Sequence, residues 1–200
     1  MTIILTGFEP FGKLGTNPSR EIVQHLAAET HNFPLHTAIL PTAYDDSAQQ
    51  LNALMAQHQP DYVVALGVAN GRKHINLERF ALNINDASLP DNAGALREGT
   101  TIVADAPPAY MATLPLDALY AALQQANIPV RYSNHAGAYV CNHILYSTLH
   151  TIASAGLPTR AGFIHVPMNV EAEGEKGAEV GLPLAQMIDA IRLCLRTLAM

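Results

Sequence analysis

Position 141 is a cysteine in the run Ser133-Asn134-His135-Ala136-Gly137-Ala138-Tyr139-Val140-Cys141-Asn142-His143. The residues before it, Ile128-Pro129-Val130-Arg131-Tyr132, read as a strand. The chain then turns through small and polar residues, and an apolar helix is expected over 140–155. Cys141 thereby falls in the first turn of a helix that follows a strand. The unpaired N–H groups and the positive dipole end of that turn favour a thiolate and lower the thiol pKa. The same N–H groups can receive an oxyanion. Together these are the parts of a nucleophile. The competing reading is a core residue, because free cysteine is among the most buried residue types.

A thiol nucleophile works with a base, and the base with a group that orients it. His165 closes an expected strand and is the candidate base. Glu78, Asp86 and Asp91 are the candidate orienting carboxylates. Each has a plainer reading. His165 serves equally as a hydrogen-bonded strand-end residue, Glu78-Arg79 as a surface ion pair, and Asp91 as a turn residue. Cys141-Asn142-His143 without further cysteines forms no closed zinc set, so no metal is expected. His143 points away from the face of Cys141 on such a helix and reads as structural. Cys194 lies beside the inward face of a terminal helix and reads as packing.

The elements that must position these groups follow from periodicity. Residues 2–6 form an apolar run ended by Gly7, as in a strand buried on both faces. Asn17-Pro18 reads as N-cap and first position of a helix reaching about residue 31. A strand over 35–40, a helix over 44–58 and a third buried strand over 62–67 follow. This alternation predicts an α/β fold with a largely parallel sheet. Then the rhythm breaks. Phe80, Leu82 and Ile84 alternate with polar or small residues, as in a hairpin arm. Asp91-Asn92-Ala93-Gly94 is a turn, and Ala106-Pro107-Pro108 blocks regular structure. A helix over 116–126, strands over 130–133 and 162–166, a loop over 170–181 and a helix over 184–198 complete the chain. Open α/β sheets carry their sites at the C-terminal ends of strands. Gly7-Phe8, Gly67 onward, the stretch 133–141 and His165 are expected to meet there.

Two hundred residues fit one domain, and the chain is read as such over 1–200. Its net charge of −6, without a basic block, excludes nucleic acid and anionic membranes as partners. Two cysteines make no disulfide framework. The opening residues lack a basic segment, and their apolar run is too short for a signal peptide. No apolar run reaches membrane-spanning length. A reducing cytoplasm is the expected setting. The low charged fraction, 14%, points to a buried subunit interface.

Several separated motifs, in order along the whole chain, resemble pyroglutamyl peptidase I (pyrrolidone-carboxylate peptidase), a cysteine peptidase family. They are Gly7-Phe8-Glu9-Pro10-Phe11-Gly12 with Asn17-Pro18-Ser19; Gly71-Arg72 through Glu78-Arg79 to Asn83-Ile84-Asn85-Asp86; Leu89-Pro90-Asp91-Asn92; Tyr139-Val140-Cys141-Asn142-His143; and Gly162-Phe163-Ile164-His165-Val166-Pro167. The resemblance implies Cys141 as nucleophile, His165 as base and Glu78 as orienting acid. It implies a three-layer α/β/α sandwich of the phosphorylase/hydrolase-like type around a largely parallel, mixed sheet, assembled as a homotetramer. The implied reaction removes an N-terminal pyroglutamyl residue from small peptides, with no metal or organic cofactor. Phe8, Phe11, Tyr139 and Val140 would line the pocket for the flat lactam ring, and Asn17 would brace it. A related small-lactam amidase and a non-catalytic pyroglutamyl-binding protein are the alternatives. Departures from the family pattern are Val68 and Asn70 for Gln and Gly, Ser88 for Arg, His135 for a small residue, and Met168-Asn169-Val170 for Tyr-Leu-Pro.

Overall fold

The computed structural model describes residues 1–12, 15–171 and 180–200. Most of the loop expected over 170–181 therefore lies outside the described residues. In chain order the elements are β1 (Ile3–Phe8), α1 (Pro18–Ala27), β2 (Leu35–Leu40), α2 (Tyr44–His58), β3 (Tyr62–Val68), β4 (Ile75–Glu78), β5 (Phe80–Leu82), β6 (Ala109–Met111), α3 (Leu116–Gln125), β7 (Val130–Ser133), α4 (Val140–Ala155), β8 (Arg160–Val166) and α5 (Leu184–Leu198).

Six strands form one sheet in the order β2-β1-β3-β8-β4-β7. The first four are mutually parallel. β4 runs antiparallel to β8, and β7 is parallel to β4. The sheet is therefore mixed. β5 and β6 make a separate antiparallel pair.

Strand alternation sorts the core into two layers. On β1, Ile3 and Leu5 face a cluster built with Ile22, Val23 and Leu26 of α1, Leu119 and Leu123 of α3, and Met187, Ile191 and Leu195 of α5. Ile4 and Phe8 face the other cluster, with Leu51 and Met55 of α2 and Ile144, Leu145 and Leu149 of α4. Helices thus cover both faces, giving three layers. Cys194 is 1% exposed within the α1/α3/α5 layer, a packing residue.

Three expectations are corrected. α1 ends at Ala27, with Ala28 as its C-cap, short of residue 31; His31 instead approaches the Leu26 carbonyl with Nε2 at 2.7 Å. β4 falls where the sequence reads as interrupted. Its four residues, Ile-Asn-Leu-Glu, are all buried, because Asn76 and Glu78 are internally partnered polar residues on a strand that also carries Ile75 and Leu77. Finally, β7 runs against the four parallel strands. Ser133 therefore does not lie at their C-terminal edge, and residues 134–139 must carry the chain to the start of α4.

Candidate active site

On β8 the residues Ala161, Phe163 and His165 share the face covered by α2 and α4, by period-two alternation with Phe163 in that cluster. Gly67 of β3 is the register partner of His165 in a parallel pair, so it presents the same face. A Cβ built on Gly67 would stand 2.9 Å from Cys141 Sγ and 2.7 Å from the Phe163 ring. The thiol of α4 is therefore seated directly over the strand beside His165. Only a residue without a side chain leaves room for it.

β4 delivers the carboxylate. Asn76 is opposite His165 across the antiparallel pair, so Glu78, two residues on, presents the same face. Glu78 Oε1 accepts a hydrogen bond from His165 Nδ1 at 2.8 Å. Glu78 is fully buried and His165 is 6% exposed. With Nδ1–H committed to the carboxylate, Nε2 carries the free lone pair, the arrangement that a general base requires. The Phe163 ring packs 4.7 Å from the imidazole and helps fix its plane. Glu78 is neither a surface residue nor the partner of Arg79. The Arg79 guanidinium lies over the Tyr132 ring at 4.2 Å.

α4 starts without a side-chain cap, because its N-cap is Tyr139. The N–H groups of Val140 and Asn142 meet no oxygen or nitrogen acceptor among the described residues. The Cys141 N–H leans on its own sulfur. Such a first turn holds donors ready for an oxyanion. The expected fall in the thiol pKa, however, is reversed. Burial, with the Glu78 charge adding to it, pushes Cys141 up to about 12. The helix start lowers it by less, because an uncharged thiol is the form that a desolvated site beside a carboxylate prefers.

Above the thiol lies a cavity of about 70 Å³, lined by Phe8, Phe11, Asn17, Thr42, Val68, Tyr139, Val140 and Cys141. All five residues expected to hold the substrate are among them, and none of the eight is cationic. Phe11 and Tyr139 rings lie 5.1 Å apart. The Tyr139 hydroxyl donates to the Pro90 carbonyl at 3.1 Å. Asn17 also caps α1: its Oδ1 accepts from the Ser19 N–H at 3.1 Å and the Ser19 hydroxyl at 2.8 Å. Its Nδ2 donates to the Glu9 carbonyl at 3.0 Å, and Thr42 Oγ1 donates to the same oxygen at 3.0 Å. The Asn17 and Thr42 side chains thus brace the loop after β1.

Thr42 was absent from the sequence reading, and Val68 entered it only as a departure from a family pattern. Their positions, at or just beyond the C-terminal ends of β2 and β3, are the signal that could have found them. Ser88 lines an adjoining open depression together with Phe11, Leu89 and Tyr139. Asp91 serves its turn, accepting from the N–H groups of Ala93 and Ala95 at 3.0 and 2.8 Å. It also caps α2 from a distance, through the Tyr44 N–H at 2.9 Å. Asp86 accepts from the Gly99 N–H at 3.2 Å and stays outside the group. Arg72 donates to Asn76 Oδ1 at 2.8 Å.

A family model described as pyroglutamyl peptidase matches residues 1–200. The chain belongs to the pyroglutamyl peptidase family. It is 42% identical to the pyrrolidone-carboxylate peptidase of Thermococcus onnurineus over 197 residues, covering 98% of both chains. It is 40% identical to pyrrolidone-carboxylate peptidase 2 of Photorhabdus laumondii, over 97% of this chain and 89% of that one. Among solved structures it resembles pyroglutamyl peptidase I of Bacillus amyloliquefaciens, with a TM-score of 0.92, 35% identity and coverage of 99% and 96% of the two chains. In this chain the Cys141, His165 and Glu78 group is the place where a buried carboxylate, an imidazole and a thiol come together beside the small cavity.

Proposed function

We propose that the chain is a cysteine exopeptidase that removes an N-terminal pyroglutamyl residue from peptides. Cys141 is the nucleophile, His165 the general base and then acid, and Glu78 the residue that holds the imidazole. His165 Nε2 takes the thiol proton as Sγ attacks the pyroglutamyl carbonyl carbon. The carbonyl oxygen becomes an oxyanion facing the first-turn N–H groups of α4. His165 then gives the proton to the departing amine, the C–N bond breaks, and a thioester remains. Water, deprotonated by the same imidazole, attacks the thioester; free pyroglutamate leaves and the thiol is restored. Because the thiol rests protonated, the proton moves with the attack rather than before it.

The observation that carries this reading is the buried Glu78–His165 pair, 2.8 Å apart, on the face where the Cys141 sulfur rests. The cavity favours a neutral ring. Phe8, Phe11, Tyr139 and Val140 supply apolar surface, and among the described residues no lysine or arginine lines it to pair with a carboxylate. An N-terminal Gln, Glu or Pro would bring a charged ammonium into this slot, at a cost of several kcal/mol when unpaired. The test uses four amides with one leaving group, carrying pyroglutamyl, Gln, Glu or Pro. The pyroglutamyl amide should lead by at least about 10³ in kcat/KM. Comparable rates on Gln or Pro would refute lactam recognition, and binding without turnover would leave only a binding protein.

Residues 1–200 are read as one domain of this activity, acting in the cytoplasm as a homotetramer. The two free cysteines and the low charged fraction support that reading. Among the described residues no helix is long and apolar enough to cross a membrane.

A further inference from the structure

The two residues after the nucleophile point into the molecule rather than into the cavity. Asn142 is fully buried. Its Oδ1 accepts from the Leu82 N–H at 2.9 Å, and its Nδ2 donates to the carbonyls of Leu82 and Ile84, both at 2.9 Å. The partners are 58 to 60 residues away in the chain. His143 Nδ1 adds a contact of 3.1 Å to Asn85 Oδ1. The first turn of α4 is thus clasped to the stretch 82–85 at several points. That stretch continues from Glu78 through β5. The strand bearing the carboxylate and the helix bearing the thiol belong to different layers, and hydrophobic contact between layers tolerates sliding. Directional bonds to a saturated carboxamide do not.

We infer that Asn142 is a positioning residue for catalysis: its carboxamide sets the place of Cys141 relative to the Glu78–His165 pair by locking the first turn of α4 to the segment that follows Glu78. The inference rests on the reading of Cys141 as nucleophile. It assigns Asn142 no contact with substrate. A displacement of about 1 Å between nucleophile and base is enough to cost on the order of 10² in rate.

A buried polar residue remote from the site provides the comparison. Thr159 Oγ1 donates to the Pro60 carbonyl at 2.7 Å, 99 positions away in the chain. That bond lies at the N-terminal ends of β3 and β8, the sheet edge opposite Gly67 and His165. Asn142→Ser, the isosteric Asn142→Asp and Thr159→Ala are made in the full chain. Folding is checked by circular dichroism, and kcat, KM and the iodoacetamide labelling rate of Cys141 at pH 7 are measured on the folded fraction. For the Asn142 variants kcat should fall about 10²-fold while KM stays within about threefold. Labelling should slow by a similar factor, because the imidazole no longer reaches the thiol proton. Thr159→Ala should lose stability alone, with kcat and labelling near wild type.

Three outcomes would overturn the inference. One is folded Asn142 variants with kcat within threefold of wild type, another is the same losses in Thr159→Ala, and the third is failure of both Asn142 variants to fold, which would make the role purely structural. Failure of the underlying reading is separately visible, because Cys141→Ala would then keep its turnover.

Discussion

The surroundings of the Cys141 thiol oppose its ionisation more than its own N–H at the helix start favours it. Burial and the Glu78 charge hold the proton on sulfur, to about 12. In the proposed mechanism the acceptor of that proton is His165 Nε2, which the Glu78 hydrogen bond leaves free. Two experiments follow at this scale. Cys141→Ala should abolish turnover with the fold intact, and iodoacetamide should label Cys141. Cys194→Ala should leave kcat and KM near wild type, since that thiol is buried in the opposite layer. In His165→Ala, labelling of Cys141 should be slow at pH 7. It should climb steadily from pH 8 upward without a plateau near neutrality, as a lone thiol with a raised pKa does. A fast, pH-flat reaction in that variant would mean that the thiolate is preformed and the base dispensable.

Elements set the tolerance of the site. β3, β8 and α4 approach so closely at Gly67 that a single methyl group would meet Sγ at 2.9 Å and the Phe163 ring at 2.7 Å. Neither neighbour is the free end of a flexible chain: Phe163 is fully buried, and the sulfur belongs to a helix start that Asn142 clasps. Gly67→Ala should therefore cost about 1–3 kcal/mol by overpacking. It should lower kcat by more than the lost stability accounts for, because α4 must lift. Urea unfolding and steady-state kinetics on the same preparation separate the two effects, and wild-type kcat in a destabilised protein would show that the helix start can shift harmlessly. Gly7 plays the corresponding part at β1, where a Cβ would stand 2.5 Å from the Ser19 carbonyl oxygen. That approach lets Ser19 Oγ accept the Phe8 N–H at 3.0 Å and places the Phe8 ring in the cavity wall.

Several histidines and both cysteines are shifted by burial toward their neutral forms, and the stability of the whole molecule should bend at both ends of the pH scale. His143 is 4% exposed, and burial, helped by Arg97, lowers its pKa to about 4. Between 6.5 and about 4 the unfolded chain binds a proton that the native protein refuses, so stability falls as pH falls through that window. Burial lowers His36 and His74 as well, in the same sense. Cys141 and Cys194 are raised from 9.0 to about 12. Between those values the native protein keeps protons that the unfolded chain has released, so stability falls as pH rises. Urea midpoints measured across pH 4–11 should show both limbs. His143→Gln should flatten the acid limb between pH 6.5 and 4 relative to wild type, and Cys194→Val the alkaline limb above pH 9. An acid limb unchanged in His143→Gln would assign it to other groups.

Much of this protein was legible in one dimension. Continuous apolar runs marked β1 and β3, Asn17-Pro18 marked the start of α1, and the run after Tyr139 marked α4. These signals rest on local physics: periodicity, capping and buried-strand composition act within a few residues. The candidate site residues were legible through separated motifs, but the residues alone left three carboxylates open for one role. Only the tertiary structure decided among them. It paired β4 antiparallel to β8, so that Glu78 shares a face with His165 while Asp86 and Asp91 are spent on backbone N–H groups. It also reversed the expected sign of the Cys141 shift, because a helix start acts along the chain, whereas burial and a carboxylate 63 positions earlier in sequence act through space. β4 itself escaped the sequence reading for the same reason. Ile-Asn-Leu-Glu alternates for only four residues, too short to mark a strand, and its polar side chains are satisfied by Arg72 and the His74 carbonyl for Asn76 and by His165 of β8 for Glu78.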